Sequence, residues 1–345
     1  MDTAFILDDN FQIMGVVDTF ESFIWTERYS SPGDFEMTLK SNSTVRSLLK
    51  DDRYVMIPES EYLMLIQTGN GKEGQEDGQL LTVQGKSACS MLDRRLTPIY
   101  PGTDLWGASE RPPGAWAAFL IMQAMGDLSA YESLPIGGYV NDISGGSDMD
   151  YMPTPGNLRS EVESILQAFD LGYRFKRLAD GNFECIIYKG ADRYSTVVFS
   201  TSMDNLSNVE HLWSSETYAN VAYVFTETAR RTVVASGVSS SISGKDRRSI
   251  IVDATDIKES DATRRNKLMD SRGRQALRAQ RKVVSLDGDV SQKTGYVYGT
   301  HFRLGDEVQF RNTYGVKDRV RVTEYIRTYS VSEGQKAYPT FEEVE

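Results

Sequence analysis

The sequence predicts an α+β fold that is mainly β, and three observations carry the prediction. Short aromatic-rich segments with period-two alternation fill the first hundred residues, few stretches show a helical period, and β-type sequence returns at the end. Phe5 to Leu7 and Gln12 to Val17 flank the turn Asp8-Asp9-Asn10 as a hairpin. Ser22 to Tyr29 runs into Ser30-Ser31-Pro32-Gly33-Asp34, after which Phe35, Met37 and Leu39 alternate with Glu36 and Thr38, the mark of a half-buried antiparallel pair. Tyr54 to Ile57, Tyr62 to Thr68 and Leu80 to Lys86 continue the pattern, the last two separated by the polar insert Gly69 to Gln79, of which Gly69 to Gly74 is read as a flexible acidic surface loop. Strands at this spacing fit a small barrel or sandwich.

The next hundred residues mix element types. Gly114 to Met125 has helical spacing and stops at Gly126, and Thr154-Pro155 starts a helix whose face is Leu158, Val162, Ile165, Leu166 and Phe169. Tyr173 to Arg177 and Phe183 to Tyr188 flank the hairpin turn Ala179-Asp180-Gly181-Asn182. Strand sequence resumes at Asn220 to Thr226, followed by a Gly/Ser-rich loop, a strand at Ser249 to Val252 and a helix from Ser260 to about Gln280. That helix has few apolar positions (Leu268, Met269, Leu277), so it is expected to be solvated or to pack on a partner. Strands are expected again at Val297, Glu307 to Arg311 and Arg319 to Arg327, which reads as one β domain interrupted by an α/β module.

Composition and charge narrow the function. At 345 residues, with 40% apolar and 25% charged residues, this is a globular chain of two or three domains. Its longest apolar run, Ala115 to Met122, is far short of the roughly 20 residues a bilayer requires, and no signal peptide is read at the start. Cys89 and Cys185 lie far apart, with only His211 and His301 beside them, so neither a disulfide scaffold nor a Cys/His zinc site is expected, and folding in a reducing cytoplasm is. The net charge of −11 disfavours a general nucleic-acid surface. Yet Glu227 to Lys282 holds 14 Lys/Arg against 7 Asp/Glu, a net of +7 that leaves −18 for the rest.

No catalytic, cofactor or metal set emerges. Gly85-Lys86-Ser87 resembles the end of a phosphate loop, but position 80 is Leu80 rather than glycine and the tripeptide ends a strand. There is no G-x-S-x-G elbow or H-E-x-x-H, and Asp8-Asp9-Asn10 lacks the spaced oxygens of a calcium loop. Among 49 acidic residues a glycosidase pair could be drawn from Asp148, Asp150, Glu161 and Glu163, though solvated charge is the simpler reading of each. Aromatics are read mainly as core, with Trp106 and Trp116 the positions to test for sugar binding.

Trp25-Thr26-Glu27-Arg28-Tyr29 followed by Pro32-Gly33-Asp34-Phe35-Glu36-Met37-Thr38-Leu39 resembles the opening of the tail-hub (baseplate hub, tail-associated) proteins of long non-contractile-tailed bacteriophages. Three further stretches agree in order: Gly85-Lys86-Ser87 with Leu92-Asp93-Arg94-Arg95; Asn220-Val221-Ala222-Tyr223-Val224 with Asp246-Arg247-Arg248 and Val252-Asp253-Ala254; and Leu304-Gly305-Asp306-Glu307-Val308 with Arg319-Val320-Arg321-Val322-Thr323-Glu324. The resemblance makes Trp25, Gly33, Asp34, Phe35, Gly85, Arg95, Asn220, Arg248, Gly305, Asp306 and Arg321 structural family positions.

The resemblance implies two small β-barrel domains with an intervening mixed α/β domain and a small α/β insertion in the second barrel. The expected bounds are 1–98 for the first barrel, 99–204 for the mixed domain, 205–232 with 293–345 for the second barrel and 233–292 for the basic insertion. It further implies a non-enzymatic virion protein at the tail tip, made in the bacterial host cytoplasm. This protein would be a homotrimer whose six barrels match a sixfold tube to a threefold tip around a channel for DNA ejection. Its implied partners are the distal tail protein ring, the tape measure protein and tip or receptor-binding proteins, with DNA passing unbound. A wall- or surface-glycan-degrading tip enzyme is the alternative, and because the chain stops at Glu345, receptor-binding or wall-degrading extensions are not expected. Acidic residues including Glu73, Glu76 and Asp77 would face the channel or tube junction, and Arg247, Arg248, Arg264, Arg265, Arg272 and Arg274 would face acidic neighbours, unless that helix is simply solvated.

Overall fold

The computed structural model describes residues 3–74, 78–97, 110–124, 134, 138–178, 183–290, 295–311 and 317–344. In chain order the strands of the first β region are β1 (Ala4–Leu7), β2 (Ile13–Val17), β3 (Ser22–Arg28), β4 (Asp34–Lys40), β5 (Tyr54–Met56), β6 (Met64–Gly74) and β7 (Gly78–Ser87), with the short helix α1 (Ser43–Leu48) after β4. Both expected turns form there. The Asp8 carboxylate accepts from the backbone N–H groups of Asn10 and Gln12, and Gly33 sits where an added Cβ would lie 2.1 Å from the Thr26 carbonyl oxygen. The expected loop over Gly69 to Gly74 is instead a continuation of strand β6. The β6–β7 ladder runs out to Gly74 opposite Gly78, because glycines and small polar residues extend as readily as they turn once a partner strand is present.

The mixed region comprises α2 (Pro113–Met122), β8 (Gly138–Asp142), α3 (Leu158–Ala168), β9 (Gly172–Arg177) and β10 (Phe183–Tyr188), with a three-stranded sheet in the order β8-β10-β9. The expected helix stop at Gly126 and the turn 179–182 lie outside the described residues. Helix α3 starts later than the Thr154-Pro155 signal, since the Asn157 side chain caps it by accepting from the Ser160 N–H at 3.0 Å. Phe169, expected on the same face, caps the C-terminus and is 40% exposed, whereas Leu158, Val162, Ile165 and Leu166 are fully buried, as the period requires. They pack with Trp116, Phe175 and Phe183 and with Leu7 and Phe11 of the first region, so the mixed layer shares a core with the strands beneath it.

Then follow β11 (Val198–Ser200), β12 (Leu206–Ser214), β13 (Val221–Phe225), β14 (Arg230–Val234), β15 (Ser249–Asp253), α4 (Ala262–Ala279), β16 (Val283–Val290), β17 (Glu307–Arg311), β18 (Lys317–Ser330) and β19 (Gly334–Glu343). Pairing redraws three expectations. The strand at Asn220 to Thr226 joins β14 and β15 in a separate small sheet, β14-β13-β15, and α4 covers it. Strand β16, placed by sequence within the basic insertion, pairs with β12 and β19 in the large sheet, as β11 pairs with β17. Val297 belongs to no strand; its neighbour Tyr298 makes only an isolated bridge to Phe302.

The large sheet has the order β12-β16-β19-β18-β3-β4-β7-β6-β5-β1-β2, with β17 and β11 branching from β18. The two β regions expected as separate barrels are joined in one continuous sheet, and among the described residues no ladder closes either half into a ring. The seam between halves is the antiparallel pairing of β3 with the outer part of β18, from Arg28 opposite Glu324 to Ser22 opposite Ser330. A single apolar core runs beneath it, from Trp25, Phe35 and Met64 to Phe199, Phe310, Val322 and Phe341.

Within this sheet one topology occurs twice. The ladder β3-β4-β7-β6-β5 and the ladder β12-β16-β19-β18-β17 are both antiparallel throughout and have their strands in the same chain order. The correspondence holds residue by residue. Tyr54–Leu65 and Val55–Met64 match Glu307–Arg321 and Val308–Val320, and the β6–β7 bulge between Ile66 and Thr68 matches the β18–β19 bulge between Val322 and Glu324. Even the backbone bonds repeat: Asp52 N–H to Ile66 and Ile66 N–H to Arg53 match Gly305 N–H to Val322 and Val322 N–H to Asp306. Asp52 and Gly305 both have positive φ, at 62° and 88°. Where the first unit has the tight β3–β4 turn, the second carries the whole small-sheet module between Ser214 and Val283.

Gly305 is doubly constrained, since an added Cβ would also lie 2.3 Å from the Tyr29 ring. Gly305→Ala is expected to destabilise the chain by about 2–3 kcal/mol in urea unfolding followed by circular dichroism, combining left-handed strain with overpacking.

Candidate functional site

The charge asymmetry of the sequence is resolved inside the chain. Helix α4 is capped by Asp261, which accepts from the Arg264 N–H at 2.7 Å, and it buries Leu268, Met269 and Leu277 against β13, β14 and β15. Gly273 permits the close approach, its absent Cβ leaving room for Val233 at 2.7 Å. The helix is thus neither bare nor waiting for another chain to cover its apolar side. Its cationic side faces acidic and carbonyl groups of the mixed region: Lys267 bridges Glu110 and Asp150 at 2.9 and 3.2 Å, and Arg272 donates to the Met152 carbonyl there and to Asp256 of its own module. Gln275 donates to the Tyr151 hydroxyl at 3.3 Å. Between α4 and the mixed region lies a cleft of about 650 Å³ that includes Asp148, Asp150, Lys267 and Arg274.

The expected interface arginines separate by role. Arg272 is only 8% exposed and belongs to the internal joint. Arg264 pairs with Glu259 and reaches Asp150 at 3.9 Å, while Arg265 donates to the carbonyls of Glu259 and Ser260. Arg247 donates to the Tyr223 hydroxyl at 2.8 Å on the outer face of the small sheet, and Arg248 lies over the Tyr218 ring while donating to the Ser215 carbonyl. Of the acidic channel candidates, Glu73 ends β6 beside Gly74, and Glu76 and Asp77 lie outside the described residues, as does Trp106. Trp116 is buried and donates to the Met149 carbonyl at 3.2 Å, so it offers no sugar-binding face.

Family-pattern residues act as internal anchors. Trp25 is fully buried and donates to Ser60 Oγ at 3.2 Å; Asp34 receives Arg28 at 2.5 Å, and Gly85 has no room for a Cβ, which would meet the Leu65 carbonyl oxygen at 1.9 Å beneath Phe35. Asp306 accepts from the N–H groups of Ala191 and Arg303 and from Arg193 Nε, joining two loop segments on one carboxylate. Asn220 closes the small sheet by donating to the Asp246 carbonyl and accepting from the Arg248 N–H. Arg95 follows the turn Ala88–Arg94 and donates back to the Arg94 carbonyl.

Sequence reasoning missed the point where all three regions meet. Asp170, in the left-handed region with φ 56°, receives Arg278 from α4, Arg281 at 3.5 Å and the buried Arg321 of β18 at 2.7 Å. Its own carbonyl accepts from the Tyr29 hydroxyl at 2.9 Å, and Arg281 continues to Glu342 of β19 at 2.5 Å. Burial works to raise the Asp170 pKa, but the Arg321 and Arg278 guanidiniums outweigh it and hold the carboxyl below its ordinary value.

Glu161 and Glu163, expected to be solvated, are both buried on α3. Burial raises both pKa values: Glu161 accepts from the Tyr151 hydroxyl and the Thr154 N–H, Glu163 from Arg159 and the Tyr173 hydroxyl. Each carboxylate is thus occupied by its own partners. Two apolar strand edges remain outward: β2 exposes Ile13, Met14 and Val16, and β12 exposes Leu212 and Trp213. Among the described residues no group of three or more His, Cys, Asp or Glu could hold a metal ion, and no helix is long and apolar enough to cross a membrane.

This arrangement of a forked β sheet, a mixed layer and an inserted module is the fold of phage tail proteins. It matches the crystal structures of the tail protein from Neisseria meningitidis MC58 (TM-score 0.63, 10% identity, covering 99% of this chain and 97% of that one) and the prophage MuSo2 43 kDa tail protein from Shewanella oneidensis (0.59, 11%, 99% and 98%). Prophage tail protein gp18 from Listeria monocytogenes EGD-e is also similar (0.52, 11%, 99% and 94%). At such identity the likeness is one of fold alone. No curated protein sequence matches the chain significantly. The family model described as Siphovirus ReqiPepy6 Gp37-like protein matches residues 3–341, and the chain belongs to that siphovirus tail-protein family.

Proposed function

We propose that three copies of this chain form the hub at the tip of a phage tail, joining a sixfold tube and distal ring to a threefold tip and leaving a channel through which DNA leaves. The observation that carries this reading is the repeated five-strand unit. A chain with two equivalent units offers two equivalent docking surfaces, so a threefold assembly offers six. The chain acts through these surfaces, as a structural part of the virion, with the distal ring and tape measure protein on one side and tip or receptor-binding proteins on the other. A net charge of −11 suits a wall that DNA must pass without adhering, since adhesion needs Lys/Arg contacts to phosphate, and Glu73 beside the β6–β7 tip would contribute to that wall. Catalysis forms no part of the reading, and the joint-bound arginines leave Arg247 and Arg248 as the basic side chains best placed to meet acidic neighbours.

Immunogold labelling of purified virions with an antibody to this chain tests the proposal. Gold is expected at the distal end of the tail, and light scattering of the isolated protein is expected to give about three times the 38.7 kDa chain mass. Label along the tube or on the capsid would overturn the reading.

A further inference from the structure

The repeat leaves one half of a joint unmade. Inside the chain, the first strand of the first unit (β3) is zipped to the outer half of the β18–β19 hairpin of the second. The equivalent first strand of the second unit is β12, and the equivalent hairpin of the first is β6–β7. Among the described residues β12 pairs only with β16, and β6 beyond its bulge pairs only with β7, so each has an open edge of backbone donors and acceptors. We infer that β12 of one copy pairs antiparallel with the outer half of β6 of a second copy, repeating between chains the seam that β3 and β18 make within one. The contact is heterologous, head to tail, and with a rotation of one third of a turn per copy it closes into a ring of three. It specifies the surface that holds together the trimer proposed above, and rests on that reading for the number of copies.

The internal seam also sets the register. Superposing the two ladders carries Trp25 onto His211 and Arg327 onto Gly71, so the new seam aligns Ser214 with Thr68, Trp213 with Gly69, Leu212 with Asn70 and Glu210 with Lys72. The chemistry of those pairs is complementary. Trp213, 73% exposed, gains a glycine floor for its indole, and Glu210 gains a lysine directly opposite. Backbone bonds from Tyr29 N–H to Thr323 and from Val331 N–H to Glu21 mark the hydrogen-bonded rungs of the internal seam, which makes Thr26–Ile326 a non-hydrogen-bonded rung. Its counterpart, Leu212–Asn70, therefore brings two Cβ atoms into disulfide range.

The test is a cysteine pair, Leu212→Cys with Asn70→Cys, oxidised in the full-length protein and resolved without reductant. Both native cysteines are buried and stay out of the exchange. The double variant is expected to collapse into one covalent species of three chains. Equal amounts of the two single variants, mixed, are expected to give covalent dimers and nothing larger, and the mis-registered pair Leu212→Cys with Lys72→Cys to cross-link at least about tenfold less. As a measurement without cysteines, Lys72→Glu is expected to weaken assembly about tenfold, and adding Glu210→Lys to restore it. A trimer by light scattering that gives no cross-link, or Leu212→Cys dimerising on its own, overturns the seam while leaving the hub reading intact. A chain that stays monomeric at every concentration overturns the ring, and the virion labelling then decides the hub reading separately.

Discussion

Asp170→Asn is expected to lower the unfolding free energy by about 2–4 kcal/mol at neutral pH, the cost of leaving a buried cation without its partner. Asparagine tolerates the left-handed backbone at this position, so the loss reports the charge and not the turn. Arg321 loses its 2.7 Å contact and keeps only Glu307 at 3.1 Å, while Arg278 and Arg281 lose their shared acceptor. The sign of the pH dependence follows from the depressed Asp170 pKa. A group that binds its proton less readily in the folded chain stabilises it above the ordinary carboxylate value, and that contribution disappears as pH falls through the folded one. The gap between wild type and Asp170→Asn should therefore be widest near neutrality and narrow in acid, in chemical denaturation at a series of pH values. Glu161 and Glu163 run the other way: with folded pKa values raised by burial, their contribution is complete below the ordinary glutamate value and is lost as pH rises through the folded one. A gap that stayed constant across the acid range would show that Asp170 is not the latch described.

Trp25→Ala is expected to cost about 3–5 kcal/mol, the range for emptying a large aromatic site in a packed core. The indole is fully buried between Phe23 and Phe35, and its N–H donates to Ser60, whose hydroxyl donates to Glu27 at 2.6 Å. Glu27 in turn is 2% exposed and holds Arg327 and the Tyr298 hydroxyl across the seam. Trp25→Phe, which keeps most of the volume and loses the donor, should cost markedly less. Thermal unfolding by far-ultraviolet circular dichroism separates the two, and equal losses would show that the polar chain, not the packing, dominates.

These sites differ in how far the sequence announces them. Hairpin turns at Asp8-Asp9-Asn10 and Pro32-Gly33-Asp34, the apolar face of α3 and the span of α4 are local matters of period, cap and turn chemistry, and each is legible within a dozen residues. Strand β16 was missed because Val-Val-Ser-Leu-Asp-Gly-Asp-Val follows a basic helix and contains the Asp-Gly pair of a turn; only β12 and β19 on either side make it a strand. The seam joins Arg28 to Glu324, 296 positions away, and nothing local encodes such a pairing. For the same reason the positive charge of α4 looked like a surface seeking another molecule. Its acceptors Glu110, Asp150 and Asp170 belong to a region read as a different domain. Asp170 itself carried no signal, being one aspartate among many after a helix. The family resemblance names Asp306, Asn220 and Gly85 as structural positions without a reason for any of them, and the contacts each makes join segments that are far apart or tightly packed.

The seam also has a mechanical consequence. Pulling the two halves apart along the strand direction loads every rung from Arg28–Glu324 to Ser22–Ser330 together, in shear, whereas prying them open from one end breaks the rungs one by one. A tail under tension along β3 and β18 would meet the stiff direction of the joint, and one twisted so as to open an end would meet the soft one. The same seven rungs are thus stiff against sliding along the strands and soft against opening from one end.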